Sequence, residues 1–535
     1  MRFAVALASI LVAAATWPAG SRQSAAPVRP PMLSLPQRAT IAPVADCNTL
    51  LRRDFTQVTD APAELLTAEV VPGEGGRPAV CRVTGYVVPH VQFELRLPMQ
   101  GYTGRYLQIG CGGNCGYVRT TATPACDNDM AHSGAFAVAA TDTGHVGNAL
   151  WARDNPALQR DFAERGVHVV ALASKAIIAA FYGGTPARSY FQGCSNGGRE
   201  AMVEAQRHPD DFDGLVAGAP ANYITSGFLR FAWQDVKNRA ADGSAIFTAT
   251  AGQTLHAAVM RSCDALDGVN DGQIDEPRAC TFDPARLTCP NDKERPGVCL
   301  SPAQVATARA FYAGPTDDAG RHLSVGGLAY GSELTWASSG RRAIVEGYFR
   351  HLIYGSRRPA DLSIDDLTFT AASVREVMAL GAHYDAADTD LTRFRDRGGK
   401  MIVWEGEADP SAGPNATLNY YQGVRDRLGG LERTRQTMRV FRLPGVYHCR
   451  GGTMPYEANF LGAIVNWVER GDAPDVVLAT ASKPDGGVRT RPIFAYPVAS
   501  RYRGRGSLDE PASFTGVAPR RVPDDRYDWV GASIG

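Results

Sequence analysis

The sequence predicts an α/β domain built on a mostly parallel sheet and split by a large insertion. Three observations carry this: short apolar runs alternate with helical stretches, the alternation stops at about residue 221, and it resumes at Met401. In chain order the strands are read at Arg105–Gly110, Ala135–Thr141, Ser189–Gln192, Leu215–Pro220, Met401–Trp404 and Met438–Leu443. Helical stretches such as Val167–Tyr182 and Arg199–Arg207 lie between them. Between 221 and 399 four cysteines cluster, Asp, Gly and Pro are dense, and strand alternation is absent. The division is therefore residues 26–220 as the first part of the core, 221–399 as an inserted lid, and 400–535 as the second part. No internal repeat is present.

Residues 1–25 read as a signal peptide. Arg2 supplies a positive start, Ala4–Ala15 an apolar run, and Ala19, Ala25 and Ala26 small residues for cleavage. The run is too short to span a bilayer and no later stretch is read as long enough, so no membrane partner is expected. An exported chain, secreted or periplasmic, can oxidise its cysteines, which makes sense of eleven of them. Eleven is odd, so at least one is free or pairs outside the chain. No cysteine pair shows zinc spacing with partnering histidines. Lys+Arg and Asp+Glu are balanced at 55 each, which gives no basic surface to favour nucleic acid.

Gly193-Cys194-Ser195-Asn196-Gly197 fits G-x-S-x-G between a strand and a helix, a turn that lifts a serine hydroxyl clear of a sheet. A serine hydroxyl needs a base within reach and a carboxylate behind the base. The order Ser195, Asp409, His448 supplies both, each partner following a strand. Glu405 and Glu407 are rivals to Asp409 and are read as solvated loop acids. Of the other histidines only His145 lies at a strand end. An oxyanion requires two backbone N–H donors. One is assigned to Asn196, and the other to Gly113 or Gly112 in the glycine loop after the first strand. Ser195 and His448 each sit beside a cysteine, so if they meet, Cys194 and Cys449 meet too. A disulfide there would tie nucleophile to base.

The run Cys263–Asp275 gathers four Asp. A hard cation such as calcium would be held by Asp264, Asp267 and Asp271 with the carbonyls of Val269 and Gln273. From spacing alone a plain acidic, glycine-rich loop is the better reading.

These segments together resemble the tannase and feruloyl esterase family, which includes a hydrolase of mono(2-hydroxyethyl) terephthalate. The resemblance runs from about Cys47 to Gly516. Its carriers are Gly110-Cys-Gly-Gly-Asn-Cys-Gly116, Thr141-Asp-Thr-Gly-His145, Gly193-Cys-Ser-Asn-Gly-Gly198 and His208–Ala221, followed by Cys263–Asp275, Gly406-Glu-Ala-Asp409, Pro444–Cys449 and Arg491–Pro497. It implies an α/β-hydrolase core with a large inserted lid domain carrying a structural calcium. It implies a triad of Ser195, Asp409 and His448, with Cys194 bonded to Cys449. Further implied pairs are Cys47–Cys81, Cys263–Cys280 and Cys289–Cys299. Phe494 and Gly516 stand where many relatives carry a further disulfide. Cys111, Cys115 and Cys126 are additional, and one pair with one free thiol is expected among them. The expected activity is a secreted serine carboxylesterase acting on small esters of aromatic acids, of feruloyl or galloyl type. The alternatives are a terephthalate half-ester hydrolase and a non-catalytic polyphenol or carbohydrate binder on the same fold. Phe228, Phe231, Trp233, Trp336, Tyr348 and Phe349 are candidates for holding the acyl ring, most of them read as lid core.

Overall fold

The computed structural model describes residues 33–120, 130–337, 341–454, 456–483 and 485–532. The signal-peptide segment and Cys126 lie outside the described residues. A nine-stranded sheet forms the centre. Its strands are β1 (Ala63–Val71), β2 (Val80–Val87), β3 (Val91–Pro98), β4 (Arg105–Ile109), β5 (Phe136–Thr141), β6 (Arg188–Cys194), β7 (Gly214–Gly218), β8 (Lys400–Gly406) and β9 (Met438–Leu443). They lie in the order β1-β2-β3-β5-β4-β6-β7-β8-β9. The six strands read from sequence are β4 to β9, and these run parallel to one another, while β5 meets β3 antiparallel. The antiparallel β1–β3 meander was not read. Most of β1 is exposed and its register shifts between Leu65 and Thr67, so it has no continuous apolar run.

Strand pleating sends alternate side chains to two separate cores. In β4, Tyr106 joins the layer containing Val170, Ile177 and Phe181 from the helix Gly166–Tyr182. Leu107 and Ile109 join the opposite layer, with Ile464 and Trp467 from the helix Phe460–Arg470. A cavity at Leu107, by Leu107→Ala, would cost about 2–5 kcal/mol. By length and composition the helical stretch Pro156–Tyr182 qualifies as a candidate membrane span, against the sequence expectation. It is mostly buried against the sheet, which accounts for its apolar face.

The chain leaves the sheet after β7 and returns at β8. Among the described residues, the intervening segment adds no strand to the sheet. It has its own cores, one around Phe247, Phe311 and Trp336, another around Phe228, Tyr348 and Val374. Its helix Pro302–Ala313 begins with a capping box between Ser301 and Gln304, which satisfies amides the first turn would otherwise leave free. The last described residues do not stay with the sheet. Trp529 is buried in the lid core and Val530 N–H donates to His322 O at 2.9 Å.

Among the described residues there are five disulfides. Cys47–Cys81, Cys194–Cys449, Cys263–Cys280 and Cys289–Cys299 are the implied pairs, and Cys111–Cys115 is the pair among the additional cysteines. Where relatives have a further bridge, the Phe494 ring lies 2.7 Å from where a Cβ on Gly516 would be. The aromatic ring occupies the space that glycine leaves.

Candidate active site

β6 ends at Cys194 and the helix Asn196–Arg207 begins two residues later. Ser195 makes the turn alone, with φ 64° and ψ −119°, a conformation costly for a residue with a Cβ. Neighbouring contacts impose it. Ser195 N–H donates to Gly218 O at 2.9 Å, and Ser195 O accepts from Ala221 N at 3.0 Å. The turn is so tight that a Cβ on Gly193 would sit 2.6 Å from Gly197, and one on Gly198 2.4 Å from Gly218 O. Arg199, fully buried, fastens the helix by donating to Asn196 Oδ1 (2.7 Å) and to the carbonyls of Phe162, Ala163 and Tyr384.

The hydroxyl that results meets the two partners read from sequence. Ser195 Oγ lies 2.7 Å from His448 Nε2, and His448 Nδ1 lies 2.7 Å from Asp409 Oδ2. Asp409 can only accept, so it fixes the tautomer with the proton on Nδ1 and leaves Nε2 free to accept from Ser195. Asp409 is fully buried, and its other oxygen accepts from Ser411 N (2.6 Å) and Ala412 N (3.2 Å). Burial pushes its carboxyl up, but His448 and the surrounding donors outweigh that and hold it below the usual range. Cys194–Cys449 joins the two segments, with Cα atoms 5.9 Å apart.

Glu405 and Glu407 are not solvated loop acids. Both are about 1% exposed. Glu407 pairs with Arg442, which also pairs with Glu276. Glu405 accepts from Thr417 Oγ1 at 2.8 Å, and its carboxyl lies against that of Asp409.

The glycine loop after β4 faces Ser195. Cys111 N–H is taken by Glu200 Oε2 (3.1 Å) and Gly112 N–H by Tyr117 Oη (3.3 Å). Gly113, at φ 61°, lines the cavity beside Ser195 and Asn196. Asn196 opens its helix, so its amide has no acceptor within the helix. Of the two glycines considered, Gly113 is the one that lines the cavity together with Asn196. Two residues that support this loop were not assigned from sequence. His145 Nε2 bonds Asn114 O at 2.6 Å while its ring stacks on Trp151 at 3.7 Å. Buried Glu200 holds Cys111 N and Asn196 Nδ2, and burial pushes its carboxyl up to about 8. His145 had a signal in its strand-end position; Glu200 sits inside an ordinary helical stretch and had none.

Ser195 and His448 open into a cavity of about 220 Å³ under the lid. Pro220, Ile224, Phe228, Phe231, Val325 and Ile344 give it apolar walls. Of the six candidate aromatics only Phe228 and Phe231 line it. Tyr348 backs Phe228, stacked at 4.0 Å, while Trp233, Trp336 and Phe349 belong to the lid cores. Arg230 and Arg341 also line the cavity, with Phe231 5.7 and 4.9 Å from their guanidinium carbons. Arg230 is buried, donates to Ser411 O, and leaves Nε without an acceptor. Among the described residues neither arginine forms a salt bridge. Burial draws both guanidinium groups down, Arg230 to about 10.

Residues 76–517 match the family model described as "Tannase and feruloyl esterase". The chain belongs to that family. It is 31% identical to the mono(2-hydroxyethyl) terephthalate hydrolase of Piscinibacter sakaiensis, over 83% of this chain and 85% of that protein. It is 30% identical to feruloyl esterase B of Aspergillus niger, over 82% and 87%. The crystal structure of feruloyl esterase B from Aspergillus oryzae superposes with a TM-score of 0.78 at 26% identity, covering 88% of this chain and 99% of that one. Tannin acyl hydrolase from Aspergillus niger shares the fold, with a TM-score of 0.73 at 21% identity, over 92% and 98%. This family member is a carboxylic ester hydrolase.

The esterase carries its acidic loop on the lid side, next to the His448 loop. Asp264 is occupied by its own loop, accepting from Asp271 N (3.1 Å) and Gly272 N (3.0 Å). Asp267 Oδ2, Asp271 Oδ1 and Asp275 Oδ1 are buried and have no donor. Burial pushes Asp267 up to about 7 and Asp271 up to about 6, with neighbouring carboxylates adding to the rise. Such oxygens suit a hard cation. Arg491 partly compensates them, at 3.0 Å from Asp271 and 2.5 Å from Asp275. Gln273 turns its side chain the other way, donating to Pro444 O (2.8 Å) and accepting from Met454 N (3.3 Å). It thereby ties the acidic loop to the loop that carries His448.

Proposed function

We propose that this esterase hydrolyses esters of aromatic carboxylic acids through an acyl-enzyme on Ser195. The unbroken hydrogen-bond line Ser195–His448–Asp409, opening into an aromatic-walled cavity, supports this reading most strongly. Ser195 Oγ attacks the ester carbonyl as His448 Nε2 takes its proton, and Asp409 stabilises the imidazolium. The carbonyl oxygen, now negative, is held by the amides of Asn196 and Gly113. His448 passes the proton to the departing alcohol. It then takes a proton from the water that attacks the acyl carbonyl, and returns that proton to Ser195 Oγ as the acyl–oxygen bond breaks and the acid is released. The chain is exported, in keeping with five disulfides among the described residues and the N-terminal apolar run.

A calcium ion held by Asp267, Asp271 and Asp275, with the carbonyls of Val269 and Gln273, would neutralise the buried carboxylates and stiffen the loop beside His448. Asp264 contributes by shaping the loop as well as by charge.

Feruloyl and galloyl esters fit the apolar walls. The two arginines without salt-bridge partners favour a second reading, an ester that bears a carboxylate elsewhere, as a terephthalate half-ester does. The test is turnover of methyl ferulate, methyl gallate and mono(2-hydroxyethyl) terephthalate by the wild type and by Ser195→Ala. Loss of all turnover in the variant is expected. Full activity of Ser195→Ala on any of them would end the serine mechanism.

A further inference from the structure

Glu405 is the next-to-last residue of β8, just before the turn that presents Asp409. Its Oε2 is satisfied by the Thr417 hydroxyl of the helix Pro414–Leu428. Its Oε1 is buried and receives no N–H or O–H from the described residues, and the side chain within its reach is the Asp409 carboxyl. Asp409 already accepts from His448, Ser411 and Ala412. Two carboxyl groups in contact in a dry site cannot both carry charge, and the one with more donors keeps it. The remaining proton belongs on Glu405.

We propose that Glu405 is a positioning residue for the esterase reaction: a neutral carboxylic acid whose O–H donates to Asp409, so that four donors rather than three orient the carboxylate behind His448. This rests on the serine mechanism proposed above. Glu405 is shifted well above the usual carboxylate range by burial and by the Asp409 charge, which agrees with the geometry. Arg442, beside Glu405 across β9, is engaged by Glu407 and Glu276. Arg230, on the lid helix Ile224–Lys237, feels both Glu405 and Asp409 but bonds Ser411 O. Glu407 adds only a repulsion that favours the neutral form of Glu405.

The sign of a pH shift separates this from an ionised Glu405. Glu405→Gln keeps a neutral donor toward Asp409. Glu405→Met removes the donor and leaves Asp409 with a less dispersed charge, which favours the protonated base. The pH profile of kcat/KM on methyl ferulate is measured for both variants. The expected result for Glu405→Gln is kcat within about threefold of wild type and an unmoved acid limb. For Glu405→Met, kcat is expected to fall about tenfold with KM little changed, and the acid limb to move to higher pH. If Glu405 is ionised, both variants delete a negative charge and both acid limbs move to lower pH, which overturns the proposal. Wild-type kcat and pH profile in a folded Glu405→Met also overturn it. Failure of the serine mechanism would show instead as full activity in Ser195→Ala, so the two outcomes are distinct.

Discussion

Removing the bridge between nucleophile and base, with Cys194→Ala and Cys449→Ala together, should cost activity far out of proportion to stability. The bond closes a loop of 255 residues. In the chain-entropy model such a loop is worth about 5–6 kcal/mol at 25 °C, an upper figure because denatured chains retain structure. At about 2.1 cal/mol/K per residue, a folded chain of about 500 residues has an unfolding entropy near 1 kcal/mol/K, so that loss lowers Tm by only about 5 °C. The local effect is larger. The Ser195 turn is anchored to β7 through Gly218, whereas His448 sits on a loop held by Tyr447 N–H to Gly451 O and Ala408 N–H to Val446 O. Those segments meet through the 2.7 Å Ser195–His448 contact and the disulfide. A misplacement of about 1 Å at such a contact costs about a hundredfold in rate. Steady-state kinetics on methyl ferulate at 15 °C, alongside thermal melts, should show kcat down by about ten- to a hundredfold in a protein that is fully folded. Wild-type kcat in the double variant, or activity lost only as the protein melts, would refute the reasoning.

Chelation with EDTA should lower Tm by several degrees while leaving turnover at low temperature largely intact, and added calcium should restore it; equal melting points with and without chelator count against the cation. Glu200 is pushed from 4.5 to about 8, so the stability tied to its neutral form is full below about 4.5 and is lost as pH rises through 8. That penalty is on the order of 4 kcal/mol. Glu200→Gln should therefore be stabilised relative to wild type at pH 8 and not at pH 4.5, read by chemical denaturation. Arg341→Leu should raise KM for mono(2-hydroxyethyl) terephthalate about tenfold or more and leave methyl ferulate nearly unchanged; equal effects on both esters would remove the anion-binding reading.

The parallel half of the sheet was legible because each strand is buried on both faces and reads as an apolar run, as Phe136–Thr141 does. The β1–β3 meander was not, since half of its residues face solvent or the sheet edge. The Ser195, Asp409 and His448 positions were legible because each follows a strand and the chain order is constrained. The burial of Glu405 and Glu407 was not, because acids two residues apart near a turn look solvated until the lid and β9 cover them. The acidic loop announced its charge, but Asp275 exchanging places with Asp264 in offering bare oxygens depends on which backbone amides fold onto each carboxylate. The pairing of Cys111 with Cys115 follows from a glycine loop tight enough to bring them together, with Cα atoms 5.2 Å apart.

The central claim is that Ser195 is the acylated residue. Incubation with a fluorophosphonate probe, followed by peptide mass mapping, tests it directly. A single adduct on Ser195, formed in step with loss of esterase activity and strongly slowed in His448→Ala, is the result expected. An adduct elsewhere, or undiminished activity after complete labelling of Ser195, would contradict it.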